Sequence, residues 1–196
     1  MPKATFFNLK EEKRLKIENA LVKEFSRGTL EEASISNIVQ EAGIPRGSFY
    51  QYFEDKEDAI KFIIQKFIDI EHENINNFLK QTNGNIFETA IKIYDYMVQQ
   101  SLEHNETVKL VTNVLQELRK NNVNILDMKN KENEIMLINK EILNIHKEDD
   151  LYYIMRIIDI ITRNVAIEVI SGKLSIEQGK EELVRKIEIL KRGMEK

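Results

Sequence analysis

The chain has 196 residues, 42% of them hydrophobic and 32% charged, with a formal net charge of −4. Enough apolar material is present for a buried core, which excludes wholesale disorder, and the bulk charge does not advertise nucleic acid. With 7 Gly, 2 Pro, 3 His and no Cys, the composition predicts an all-α protein and excludes disulfides, Cys-ligated metals and a thiol nucleophile.

Helix punctuation divides the chain. Asn8 is positioned to cap a first helix running to about Arg27, with Ile17, Ala20, Leu21 and Phe25 on one face, and Gly28 stops it. Ser34 opens a short helix to Glu41, with Ile35, Ile38 and Val39 inward. Ala42-Gly43-Ile44 follows, and Pro45 suits the first position of a third helix, Pro45 to Phe53. Asp55, with Asp58 three residues on, reads as the cap of a long fourth helix, Lys56 to Gln81. Asn83-Gly84-Asn85 is a stop and restart. Further helices are expected over Ile86–Glu103, Glu106–Lys120, Ile125–His146, Asp149–Ser171 and Ile176–Gly193, about nine in all. Ser175-x-x-Gln178 forms a capping box for the last, and Gly172 ends the one before. The expected division is residues 1–55 and residues 56–196.

Residues 34–53 read as helix, tight turn, helix, the unit whose second helix can enter a DNA major groove. At 1.5 Å per residue that second helix is ~13 Å long, against a groove ~12 Å wide. It is small, polar and aromatic (Arg46, Gly47, Ser48, Tyr50, Gln51, Tyr52), with Phe49 and Phe53 as its core anchors. Gly inside a helix costs up to ~1 kcal/mol relative to Ala, a cost that close approach of something to the backbone would justify. Ser and Tyr hydroxyls can hold phosphates, and Arg and Gln can read base edges. A short packing helix with exposed polar residues is the alternative reading of the spacing alone.

Ala42-Gly43-Ile44, Gly47, Tyr50-Gln51-Tyr52-Phe53 and Lys56-Glu57, with Ile60 beyond, resemble the signature of the TetR family of transcriptional regulators. Upstream, Ile17, Ala20, Phe25, Ser34 and Ile38 resemble the family's first two helices, so the likeness covers roughly residues 10 to 62. Pro45 departs from it, standing where a Ser or Thr cap is common. The resemblance implies an N-terminal three-helix, helix-turn-helix DNA-binding domain followed by a larger helical body for ligand binding and dimerisation. It implies that Arg46 and Gln51 face base edges, with Ser36 and Gly47 close by. Ser34, Ser48, Tyr50 and Tyr52 would bond phosphates, as would Lys56 at the start of the fourth helix, with Lys3, Lys10, Lys13 and Arg14 adding contacts from an N-terminal arm. Charge tempers this: residues 1–27 hold seven basic and four acidic side chains, and residues 28–60 hold two basic and seven acidic. Few phosphate neutralisations and a shallow salt dependence are expected.

In the body, the helix Asp149–Ser171 is apolar on nearly all sides and needs burial on two. The stripe Leu183, Ile187, Leu190 and Met194 lies on the last helix. Together the two helices predict a four-helix interface in a homodimer. Arg156, Asp159 and Arg163 share one face, predicting an ion network, with an anionic-ligand site as the sharper alternative. The resemblance also implies a small-molecule inducer, for which Phe67, Tyr94, Met97, Met136, Tyr152 and Met155 are candidate lining residues and Asn113, Gln116 and Asn164 polar handles.

The longest apolar run, Leu151 to Met155, is too short for a bilayer, and Met1-Pro2-Lys3 leads into no secretory apolar stretch. A cytoplasmic protein without membrane association is expected. Glu-x-x-His and His-Glu-x-x-His are absent, as are Gly-rich phosphate loops, so no enzyme, metal or cofactor is predicted. The leading expectation is a dimeric regulator, usually a repressor, on a near-palindromic double-stranded DNA operator. The alternative is a helical adaptor that uses the helix-turn-helix for protein contacts.

Overall fold

The computed structural model describes residues 1–103, 110 and 136–194, and the described residues are all-helical with no strand. They form α1 (Ala4–Phe7), α2 (Glu11–Phe25), α3 (Ile35–Ala42), α4 (Arg46–Tyr52), α5 (Lys56–Gln81), α6 (Ile86–Glu103), α7 (Asp150–Ile170) and α8 (Ile176–Met194). Apart from Leu110, the expected helix Glu106–Lys120 lies outside the described residues, as does the first part of the expected helix Ile125–His146, up to residue 135. Two compact units divide within α5, after Ile70.

The first unit packs the apolar positions that recur at three and four residues. Ile17, Leu21 and Phe25 of α2, Ile38 of α3, Phe49 of α4, Phe53 just after it and Ile63 of α5 are all buried, with Leu110 beside them. Gly43 ends α3 in the left-handed conformation, φ 64°, which costs a glycine nothing. Its N–H donates to Gln40 O, and the chain turns into α4 within three residues. Asp55 caps α5 as its spacing predicts: its Oδ1 accepts from Asp58 N–H at 2.7 Å, and Asp58 Oδ2 accepts from Glu54 N–H at 3.2 Å.

Two local expectations are corrected. Asn8 does not cap the first long helix. It closes α1, donating its N–H to Ala4 O, and Lys10 is the N-cap of α2. The one-turn α1 therefore precedes the three helices expected in this region. Nor does a helix run to His146. Asn139 accepts from Glu141 N–H, a 3-10 turn spans Lys140–Ile142, and Asp150 Oδ2 accepts from His146 and Lys147 N–H at 2.7 Å each. Side-chain oxygens that bind backbone N–H groups compete with helix continuation.

The second unit buries Phe87, Ala90, Tyr94 and Val98 of α6, Ile154, Ile158 and Val165 of α7, and Leu183 and Ile187 of α8. The α8 stripe expected at a dimer interface is thereby corrected: Leu183 and Ile187 are core residues, and Leu190 and Met194 pack against the same core. Thr82 and Thr89 share a buried hydroxyl contact of 2.7 Å. At Gly84, φ 77°, a Cβ would collide with the backbone of Leu137 and Asn139, so glycine is required by conformation and space together. The Ser175–Gln178 capping box is present in both directions: Gln178 N–H donates to Ser175 Oγ at 3.1 Å, and Ser175 N–H to Gln178 Oε1 at 2.9 Å.

Candidate nucleic-acid interface

α4 is seven residues long and has two faces. Phe49, Tyr52 and Phe53 point inward, at i, i+3 and i+4. Arg46, Gly47, Tyr50 and Gln51 lie on the outward face and are exposed. Arg46 Nη1 donates to Ser36 Oγ at 3.0 Å, so the first residue of α4 and the second of α3 are joined on the outside of the turn. Nothing lies within 4 Å of where a Cβ on Gly47 would be. Packing within the described residues therefore does not require this glycine, and its backbone is open to an external partner. Tyr50 is half out of the protein, its ring edge-on to Phe49 at 5.5 Å. Ser48 and Ser34 are half-buried. Ser34 is the N-cap of α3 without a side-chain capping bond. Of the expected contact residues, the fold thus gathers Ser36, Arg46, Gly47, Tyr50 and Gln51 at the outer side of α3 and α4, with Ser34 and Ser48 flanking them.

Two expected contacts are corrected. Tyr52 is a core residue, 5% exposed, with its ring against Phe6 at 6.0 Å and Lys13 Nζ 6.0 Å from its centroid. Its position three residues after Phe49 puts it on the inward face. Lys56 does not offer its ammonium outward. Its Nζ donates to Leu30 O, Glu31 O and Ala33 O, each at 3.0 Å. An ammonium has three donors, and here all three hold the loop that leads into α3.

Acidic residues in this region act locally. Glu24 is buried, and its Oε1 accepts from Ser34 N–H and Asn37 Nδ2, both at 2.9 Å, while Oε2 takes Arg27 Nη1 at 3.1 Å. Burial pushes its carboxyl up, but these donors outweigh burial and hold it below its ordinary 4.5. Glu32 accepts from Thr29 N–H at 3.0 Å. Glu24, Glu32, Asp55 and Asp58 thus serve backbone N–H groups, which explains an acidic sequence around a polar face. Sequence reading missed the junction of α1 with the end of α4. Lys3 N–H donates to Tyr52 O at 2.8 Å, Lys3 Nζ to Tyr50 O at 2.7 Å, and Thr5 Oγ1 to Gln51 O. Backbone acceptors leave no side-chain spacing that could have revealed it.

The expected ligand-lining residues fare unevenly. Asn113 and Gln116 lie outside the described residues. Phe67 packs on the core of the first unit. In the second unit Tyr94 is a core residue whose hydroxyl donates to Ile176 O at 2.9 Å, and burial, then Asp95, raises its pKa. It is committed to packing, as aromatics at helical spacing usually are. Tyr152 stands exposed and edge-on to Tyr153 at 5.3 Å, and Met136 and Asn164 are exposed as well. Met97 and Met155 are partly buried against the core, and Arg156 is half-buried. Arg163 Nε donates to Asp159 Oδ1 at 2.7 Å and Nη2 to Glu71 Oε1 at 2.5 Å. Burial works against the guanidinium's charge, and the two carboxylates overcome it, so Arg163 stays protonated above its ordinary value. The ion-network expectation for Asp159 and Arg163 holds, with Glu71 as the partner the sequence did not reveal.

Comparison with known families decides the affiliation. Residues 85–194 match the family described as tetracyclin repressor-like, C-terminal domain, and residues 17–60 match bacterial regulatory proteins, tetR family. The chain belongs to the TetR family of transcriptional regulators. A helix-turn-helix-type transcriptional regulator of Staphylococcus aureus (strain MRSA252) is 28% identical over 100 residues, 51% of this chain and 54% of that protein. The chain thus matches about half the length of such curated relatives. A TetR family transcriptional regulator from Chloroflexus aurantiacus J-10-fl covers 100% of this chain and 99% of its own, with 23% identity and a TM-score of 0.55. A TetR-like regulator from Rhodococcus sp. RHA1 covers 94% and 98%, with 15% identity and a TM-score of 0.67. These two share the TetR fold. The N-terminal TetR match begins at Ile17, so α1, with Lys3 and Thr5, lies ahead of it. Among the described residues of this TetR-family chain, no helix is long and apolar enough to cross a membrane.

Proposed function

We propose that this TetR-family chain is a DNA-binding repressor that acts as a homodimer on a near-palindromic operator. The observation that carries the reading is the outward side of α4. It presents Arg46, Gly47, Tyr50 and Gln51 to solvent, with Arg46 braced by Ser36. Arg46 and Gln51 are the base readers, Tyr50, Ser48 and Ser34 the phosphate contacts, and Ser36 the brace. Two such faces on a dimer would enter successive major grooves ~34–36 Å apart. The dimer contact is assigned to the exposed apolar side of α7, formed by Tyr152, Tyr153, Ile157 and Ile160. Functionally the chain divides into a DNA-binding part, residues 1–55, and a ligand-binding and dimerising part, residues 56–196.

Release by a small molecule in the helical body completes the reading. Met97, Met155 and Arg156, partly buried in the second unit, are taken as its contacts. The inducer need only prefer the conformation that cannot bind the operator, since differential affinity sets the population.

The test is binding to a fluorescent duplex from upstream of the protein's own gene, against a scrambled duplex, at two salt concentrations. Preference for the upstream duplex with dimer stoichiometry is expected, and selection from random duplexes extends the search if the operator lies elsewhere. Failure to enrich any duplex would favour a protein-binding adaptor.

A further inference from the structure

A seven-residue helix is intrinsically weak. Its last carbonyls have no partners within the helix, and two turns scarcely repay nucleation. The carbonyls that end α4 are nevertheless engaged. Tyr50 O takes Lys3 Nζ at 2.7 Å, Gln51 O takes Thr5 Oγ1, and Tyr52 O takes Lys3 N–H at 2.8 Å. Three successive carbonyls are thereby held from one side by one short segment. The segment is itself anchored. Phe6 is fully buried, with its ring 5.1 Å from Phe53, 6.0 Å from Tyr52 and 5.2 Å from Phe62. The Lys3 ammonium also sits at the negative end of the α4 dipole, where a positive charge is favourable. The side chains of Lys3 and Thr5 are exposed, so burial does not dictate a cation and a hydroxyl here.

We infer that α1 is a clamp on the recognition helix, and that Lys3 and Thr5 are positioning residues for DNA reading that act through the carbonyls of Tyr50 and Gln51. The inference rests on α4 being the DNA-reading helix. It gives Lys3 a role other than the phosphate contact expected of a basic N-terminal arm. Holding the last turn of α4 fixes the direction in which Tyr50 and Gln51 point, because both belong to that turn. Without the clamp the turn frays, and the ordering must be supplied on binding, at the expense of affinity.

The experiment uses the full chain with Thr5→Val and Lys3→Met, plus Thr5→Ser and Lys3→Arg as variants that keep the donor. Hydrogen exchange over residues 46–53 is measured without DNA. Affinity is measured for a duplex that the wild-type protein selects from random sequences, at several salt concentrations. Loss of one such bond is expected to speed exchange in the last turn of α4 and to weaken binding about fivefold. Thr5→Ser and Lys3→Arg should restore both, and Thr5→Val should leave the salt slope unchanged. Unchanged exchange in Thr5→Val and Lys3→Met overturns the clamp. Faster exchange with unchanged affinity overturns the positioning role. A salt slope reduced by about one in Lys3→Met, with exchange unchanged, makes Lys3 a phosphate contact instead. If the wild-type protein selects no duplex, the DNA reading fails and the positioning role with it, while the exchange data still decide whether the clamp exists.

Discussion

The outward faces of α4 and α7 obey the same helical periodicity and carry opposite chemistry. On α4 the outward residues are Arg46, Gly47, Tyr50 and Gln51, and the side chains around them are tied to backbone groups or to one another. On α7 the exposed residues include Tyr152, Tyr153, Ile157 and Ile160. Both helices bury their other face in a core, so core packing alone accounts for neither exposed set. A polar face with an open glycine suits a hydrated, charged partner. An apolar face rimmed by polar residues suits a protein surface. Similar periodicity thus gives a polar exposed face in one unit and an apolar exposed face in the other, the two faces to which the proposed function gives DNA reading and assembly.

Removing an inward residue of the first unit has the largest expected effect. Phe53→Ala, at a fully buried position packed on Phe6, Phe49 and Phe62, is expected to destabilise the protein by about 3–5 kcal/mol in urea denaturation. Next comes the α7 face. Ile157→Asp with Ile160→Asp should weaken self-association by about 2–4 kcal/mol in sedimentation equilibrium, because interface centres reject uncompensated charge. Retention of the dimer would place the interface elsewhere. Arg46→Ala should weaken binding to the preferred duplex by ~1–3 kcal/mol and relax one base position. An unchanged sequence preference would remove Arg46 from the base readers.

The smallest expected effect sharpens the electrostatic side. Glu24 is held ionised below its ordinary 4.5 by Ser34 N–H, Asn37 and Arg27, against its burial. A carboxyl with a lowered folded pKa contributes stability above its unfolded value and loses that contribution as pH falls through the folded one. Glu24→Gln should therefore flatten the acid limb of the stability profile below 4.5 by about 1 kcal/mol. An acid limb identical to wild type would show that the Glu24 bonds contribute nothing to folding.

How much of this was legible depended on whether a residue's partner was local. The bounds of α5, the start of α6, the left-handed Gly43, the Asp55 cap and the Ser175–Gln178 box all follow from neighbours within four residues. The Tyr52 correction was within reach, since its spacing from Phe49 already placed it inward. Lys56 was not. Three carbonyls more than twenty residues away hold its ammonium, and a carbonyl gives no hint of itself in the sequence. The same holds for Lys3 and Thr5 on the end of α4, and for Glu71 on Arg163, which is 92 positions away. A side chain whose partner is a distant carbonyl or carboxylate is the kind whose partner local spacing does not reveal.

DNA reading by the outward side of α4 is tested by selection from random duplexes, run side by side with the wild-type chain and Arg46→Ala. A near-palindrome enriched by the wild-type chain, with information lost at a single position of each half-site in the variant, is the predicted result. The same motif from both proteins, or no motif from either, would contradict it.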